Sequence, residues 1–315
     1  MSEAVLEAPP EGSPFRRALQ LLRRARLWLS AKFWRHRWLA LLILLIPPVA
    51  AFVVVYVGSL AALFISAFWS VDAFTGKIVH SWTLQNFRDV LGSGGTYLRI
   101  AGRTIGIAAA VTVLDALIAF PLAYYMVRIA RSRTRTLLLV LVLLPLWSSY
   151  LVRIYAWRTI LGHDGALNWG LNKIGLPDVG LLYSNWGMLL VFTYIWLPFM
   201  IIPVYASIER IPDNFLEASS DLGAKGWRTF RTVMFPLALP GVIAGSIFTF
   251  SLTLGDFITP LLIGSGKNQF IGNVAENFIG INSNIPFAAA IATIPVIVMA
   301  VYLMIARRMG AFEAL

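Results

Sequence analysis

The chain has 315 residues, 58% hydrophobic and only 13% charged, with a mean hydropathy of +0.75; soluble domains carry about 25% charged residues, so an ordinary soluble protein is excluded. Cysteine is absent, and His36, His80 and His163 are widely spaced, which excludes disulfides, thiolate or histidine-cluster metal sites and cysteine nucleophiles. The net charge of +11 is gathered at the ends of apolar runs rather than in one patch, the pattern of a membrane protein obeying the positive-inside rule and not of a nucleic-acid binder.

Residues 1–14 are rich in Pro, Glu and Ala and are expected to be disordered. Residues 15–37 alternate Arg16, Arg17, Arg23, Arg24, Arg26, Lys32, Arg35 and Arg37 with Leu19, Leu22, Leu27, Trp28 and Trp34. They read as a basic amphipathic helix on an anionic membrane surface, the alternative being a disordered basic tail. A cytoplasmic tail over 1–37 and a membrane domain over 38–315 follow. The first apolar run, 38–69, is too long for a signal-peptide core of about 7–15 apolar residues. It is expected to span the membrane with a kink at Pro47 and Pro48.

Five further spans are predicted at 104–127, 137–157, 186–207, 240–263 and 286–306. Arg128, Arg131, Arg133 and Arg135 crowd the second connection. Arg210, Lys225, Arg228 and Arg231 lie in the fourth, and Arg307 and Arg308 follow the last span. This distribution puts both termini and both of those loops in the cytoplasm. The opposite loop at 158–185 is expected to form a cap on the outer side. No internal repeat is visible, which disfavours carriers built from repeated halves.

Gly264-Ser-Gly-Lys267-Asn268 is a fragment of a phosphate-binding loop only. Leu261 stands where the first glycine is needed, and Asn268 replaces the hydroxyl residue that would hold magnesium. Gly241 and Gly245 form a small-xxx-small pattern, read as close helix packing. No catalytic constellation is present, so no chemistry and no cofactor is expected of this chain.

The loop at 208–236 is the most informative segment. Pro212 and Asp213 open a short helix, with Asp213 at its positive end. Leu216, Ala218, Ser219 and Leu222 are expected to make one small or apolar face, and Gly223 suits a left-handed helix stop. A second short helix is expected over 227–234, ended by Pro236. Such a helix–glycine–helix element suits docking in a groove of a soluble partner, although an ordinary amphipathic surface loop has the same composition.

Glu217-Ala218-Ser219, then Gly223 after three residues, then Val233 and Phe235-Pro236, resemble the Glu-Ala-Ala loop of the permease subunits of ABC importers. Ser219, Val233 and Phe235 depart mildly from that pattern. Further segments are similar to the spermidine/putrescine importer permeases: Pro145-Leu-Trp-Ser-Ser-Tyr150-Leu-Val-Arg153-Ile-Tyr155-Ala-Trp157, Leu197-Pro198 to Tyr205, and Gly255-Asp256 to Gly264. The resemblance implies an all-α inner-membrane protein of six transmembrane helices with the type I, methionine-permease-like fold. It implies as partners two ATPase subunits docked on the 208–236 loop, a second permease subunit, a periplasmic binding protein and surrounding lipid. The implied cargo is a polyamine. Related permeases for opines, other amines, phosphonates or ferric ion share parts of the pattern.

An ionised carboxylate at the centre of a membrane helix costs about 2.5–3.5 kcal/mol, so Asp256 is expected to face a wet pathway, cap a broken helix or pair with Arg153. Asp115 poses the same question and is expected to make an inter-helix hydrogen bond. Tyr150, Tyr155 and Trp157 could meet a cation through their ring faces, or form an interfacial aromatic belt. An ion-coupled secondary carrier is the rival reading. It would need a relay of membrane carboxylates, for which only Asp115 and Asp256 are available, and would not need the loop.

Overall fold

The computed structural model describes residues 37–72 and 74–309. Apart from Arg37, the expected disordered and amphipathic segments at the N-terminus lie outside the described residues. Two compact units divide after Leu63.

In the first unit, α1 (Arg37–Phe52) passes into a wide π turn (Val53–Val57) and then α2 (Gly58–Ser66), within which the unit ends. Leu41–Ser66 is a single apolar span of 26 residues. At about 1.5 Å per residue it exceeds the ~30 Å hydrocarbon core. The expected kink at Pro47 and Pro48 is not the point of departure from α geometry. The helix runs through both prolines, and the ladder widens five residues later, at Val53–Val57.

In the second unit, the end of α2 is followed by a two-residue antiparallel ribbon, β1 (Ser70–Val71) and β2 (Ile78–Val79), and the short α3 (Gln85–Gly92). Next comes α4 (Thr96–Tyr124), extended by a wide turn to Ile129, a span of 34 residues. It starts eight residues before the predicted position 104, because Arg99 and Arg103 do not end the helix. Arg103 donates to the Gln269 carbonyl and to the Asn268 side chain, so its charge is accommodated at the start of the span.

The third predicted span is corrected. It is not one rod. α5 (Ser132–Leu143) tightens into a 3-10 turn at Leu144–Trp147, Ser148 and Ser149 are extended, and α6 (Tyr150–Leu161) sets off anew. The halves Ser132–Trp147 and Tyr150–Lys173 meet at 95°. Pro145 has no N–H for the preceding turn, and the Ser148 hydroxyl closes the break by donating to the Pro145 carbonyl at 2.8 Å. The 158–185 loop then holds α7 (Ala166–Lys173), and α8 (Asn185–Glu209) runs within two residues of its predicted bounds.

The loop helix α9 (Asp213–Asp221) leads to α10 (Gly226–Thr229), a wide turn (Phe230–Met234) and α11 (Phe235–Gly255). Here two expectations fail together. Pro236 does not end a short helix, and the fifth span is not 240–263. Gly226–Gly255 is one span of 30 residues. Pro236 sits in the first turn of α11, directly after the wide turn, where a missing N–H is tolerated. The chain leaves the helix at Gly255 and makes a wide turn at Pro260–Gly264. It finishes with α12 (Ile271–Gly280) and α13 (Ile285–Arg308), the latter close to the predicted sixth span.

The core of this unit is α4, α8 and α11 packed on one another. Phe120, Met126, Met200, Tyr205 and Met234 fill its arginine-rich end, and Val111, Ile154, Phe192, Trp196 and Phe270 fill the opposite end. Gly241 and Gly245 let α11 approach α8: a Cβ on Gly245 would lie 2.6 Å from the Met200 sulfur, and one on Gly241 would meet Ser207. The packing role read from the small-xxx-small pattern is the one they have. By length and composition the described residues hold five membrane-crossing helices, or six with the bent pair counted as one span.

Candidate coupling element and transport pathway

The loop element is built from local rules. Pro212 is extended (φ −65°, ψ 142°) and turns the chain from α8 into α9. Gly223 has φ +78°, its N–H donates to the Ser220 carbonyl at 2.8 Å, and the Ala224 N–H donates to the Ser219 carbonyl at 3.1 Å. That pair of bonds is a Schellman stop, which needs a left-handed residue at this point. Two arginine tethers fix the element to the membrane helices. Arg128, at the end of α4, pairs with Asp213 and donates to the Ile208 and Ile211 carbonyls. Arg135 on α5 pairs with Glu209 and donates to the Tyr205 hydroxyl.

The expected single face of α9 is split. Leu216 and Ser219 turn inward, Ser219 being buried with its hydroxyl 2.9 Å from that of Thr229. Phe215, Ala218 and Leu222, at i, i+3 and i+7, form the outward stripe beside the exposed Glu217. Leu222 is 87% exposed, and Trp227, stacked on Phe230 at 5.2 Å, is 73% exposed. Glu217, Ala218 and Gly223 therefore share the projecting element, whereas Val233 and Pro236 lie in the wide turn and first turn of the helix that follows.

At the other end of the core, the break after Gly255 exposes the first N–H groups of the Pro260 segment. Asp256 caps them: Oδ1 accepts from the N–H of Ile258 at 2.8 Å and of Thr259 at 3.3 Å. Oδ2 accepts from the Thr259 hydroxyl at 2.7 Å and from the Tyr150 hydroxyl. The Tyr150 ring stacks on Trp196 at 5.6 Å. The bend at Ser148 and Ser149 is what delivers Tyr150, the first residue of α6, to this point.

Of the four residues singled out for a pathway, the structure joins Tyr150 and Asp256 and leaves two apart. Tyr155 is exposed, and Trp157 packs edge-on to Tyr194 at 5.2 Å. Arg153 makes no ion pair with Asp256. Its guanidinium lies 6.0 Å from the centre of the Tyr150 ring. Asp115, expected to bond across helices, is fully buried, and neither carboxylate oxygen has a hydrogen-bond partner among the described residues. Sequence reading missed Thr259 and Trp196. Thr259 was signalled by Asp256-x-x-Thr259 after a helix-ending glycine, a capping pattern. Trp196 carried no local signal. No group of three or more His, Asp or Glu side chains able to hold a metal occurs among the described residues.

Comparison with known proteins places this architecture. Residues 112–310 match the family described as binding-protein-dependent transport system inner membrane component. The chain is 44% identical over 299 residues to the inner membrane ABC transporter permease protein YdcU of Escherichia coli (strain K12), covering 91% of this chain and 95% of that protein. It is 33% identical over 237 residues to the spermidine/putrescine transport system permease protein PotB of the same organism, covering 74% and 84%. Among solved structures, a chain of a bacterial alginate ABC transporter, in complex with an alginate pentasaccharide-bound periplasmic protein, superposes with a TM-score of 0.71. The overlap covers 92% of this chain and 98% of that one at 20% identity, a likeness of fold alone. With the family match spanning more than half of its length and a relative 44% identical over nearly the whole chain, the chain belongs to the binding-protein-dependent transport components of the inner membrane: it is the multi-pass permease subunit of an ABC importer with the type I fold.

Proposed function

We propose that this permease carries a polyamine, spermidine or putrescine, inward. The observation that carries this reading is the 33% identity to a spermidine/putrescine permease across three quarters of the chain. The Asp256–Tyr150–Trp196 cluster supports it, because a carboxylate backed by aromatic faces is the chemistry a polyammonium ion seeks. A periplasmic binding protein delivers the solute, and a second permease subunit completes the pore. Two ATPase subunits dock on α9 through the outward stripe of Phe215, Ala218 and Leu222. ATP-driven closure of the ATPases moves α9, and the Arg128–Asp213 and Arg135–Glu209 tethers pass that movement to α4, α5 and α8, switching the pore between outward and inward access.

The test is uptake of radiolabelled spermidine by cells expressing the whole importer, with unlabelled competitors. Uptake is expected to depend on the importer and to be displaced by putrescine but not by an opine, a phosphonate or ferric ion. Importer-dependent uptake of one of those solutes, with none of either polyamine, would overturn the polyamine assignment while leaving the permease role intact.

The docking proposal also requires an orientation, with both termini, the 128–135 turn and the 208–236 loop in the cytoplasm. The absence of native cysteine makes this directly measurable. Single cysteines at Asn172 or Asp178 in the 158–185 loop should react with an impermeant maleimide in intact cells. Cysteines at Arg133 or Ser220 should react only after lysis. The reverse pattern would sink the orientation and with it the docking of ATPases on α9.

A further inference from the structure

A cleft of about 550 Å³ opens between α4 and α11 in the arginine-rich half of the bundle. Leu117, Phe120 and Tyr124 line it from α4, and Phe230, Phe235 and Val242 from the other side. Tyr124 brings the only polar side chain among the lining residues. The cleft lies on two membrane-crossing helices, and Leu117 on its wall is 66% exposed. A polyamine or a polar peptide gains nothing from such a surface, whereas a hydrocarbon chain fits it.

The second observation is electrostatic. Arg231 and Arg228 stand four and seven residues before Phe235, in the segment that also carries Phe230, towards the arginine-rich end. Both are exposed, and neither guanidinium has a hydrogen bond or ion pair among the described residues. Of the loop carboxylates, Asp213 is engaged by Arg128 and Glu209 by Arg135, and neither Glu217 nor Asp221 makes an ion pair with Arg228 or Arg231 among the described residues. The Tyr124 hydroxyl likewise has no partner among the described residues. An apolar slot, one hydroxyl on its lining and two guanidinium groups free of side-chain partners in the adjoining segment match the chemistry of an acyl chain, a glycerol linkage and a phosphate.

We propose that this cleft is a binding site for one anionic glycerophospholipid of the cytoplasmic leaflet, with an acyl chain between α4 and α11 and its phosphodiester at Arg228 and Arg231. The proposal rests on the orientation given above, which the cysteine labelling tests separately. Its place matters. Phe230 and Phe235 belong to the segment that joins α9 to α11, so a lipid seated there would brace the route by which the ATPases move the bundle.

The assembled importer, reconstituted in nanodiscs, is illuminated with phosphatidylglycerol or phosphatidylcholine carrying a diazirine in mid-chain, and labelled peptides are mapped by mass spectrometry. Phosphatidylglycerol is expected to label 117–124 and 230–242 about tenfold more than phosphatidylcholine. Arg228→Gln/Arg231→Gln should erase that preference while leaving some labelling. Leu117→Trp, at an exposed position that folding tolerates, should reduce labelling by both lipids. Equal labelling by the two lipids in the unaltered importer, or cross-linking of these residues to a helix of the second permease instead of lipid, would overturn the proposal.

Discussion

Replacing Gly223 by proline is expected to abolish transport and transport-coupled ATP hydrolysis while the protein still inserts and assembles. Gly223 holds φ +78°, and its N–H closes the end of α9 on the Ser220 carbonyl. Proline fixes φ near −65° and has no N–H, so both conditions fail together. Graded variants separate the stop from the docking surface. A Cβ on Gly223 meets nothing within 4 Å in this chain. Gly223→Ala therefore carries only the left-handed backbone penalty, about 1 kcal/mol, and should retain most activity. Gly223→Trp carries a similar backbone penalty but adds a large side chain beside the exposed Leu222, on the face assigned to the ATPase. A bulky group inside a docked interface typically disturbs a site worth 2 kcal/mol or more, so ATPase docking should weaken by at least about thirtyfold. The measurements are substrate-stimulated hydrolysis in the reconstituted importer and co-purification of the ATPase. Normal coupled hydrolysis in Gly223→Trp would refute the assignment of α9 as the docking element.

How much of this was legible beforehand depends on the range of the forces involved. Spans bounded by polar residues and free of internal breaks were readable from hydropathy alone, and Asn185–Glu209 and Ile285–Arg308 fall within two residues of expectation. Gly223 was readable because a helix stop is a local device. The bent third span was not, since averaging apolar residues over a window hides two serines. The break lies at Ser148 and Ser149, although Pro145 marked it. Pro236 misled for a related reason: proline ends a helix when it falls inside one, but is welcome in a first turn, and which of these applies was set by the wide turn at Phe230–Met234. The split of α9 into an inward Ser219 and an outward Leu222 depends on Thr229, across the turn. Longest of all in range is the Asp256 cluster. The energetic cost of a membrane carboxylate was visible in one residue, but its partner Tyr150 lies 106 positions away and reaches it only because α6 is bent off α5.

That cluster sets the second large effect. Asp256→Asn is expected to lower spermidine uptake by at least about tenfold, the scale of one lost charge-assisted contact. The substitution alone does not separate a pathway charge from a scaffold, because Asp256 has two jobs in the structure. Oδ1 caps the N–H groups of Ile258 and Thr259, which an asparagine oxygen can also do. Oδ2 accepts hydroxyls from Thr259 and Tyr150, which an amide NH₂ cannot. Tyr150→Phe supplies the missing control, since it deletes the tyrosine bond and keeps the carboxylate. If the charge meets the polyamine, Asp256→Asn should raise the KM for spermidine far more than Tyr150→Phe, with basal ATP hydrolysis and assembly unchanged in both. Equal losses in the two single variants, with no further loss when they are combined, would mean that the pair acts only as a brace. Arg153→Gln completes the set. Arg153 lies over the Tyr150 ring and makes no ion pair with Asp256, so adding Arg153→Gln to Asp256→Asn should restore nothing. Rescue in that double variant would reinstate an Asp256–Arg153 pair in some state of the cycle, and uptake at the unaltered KM in Asp256→Asn would remove Asp256 from the pathway altogether.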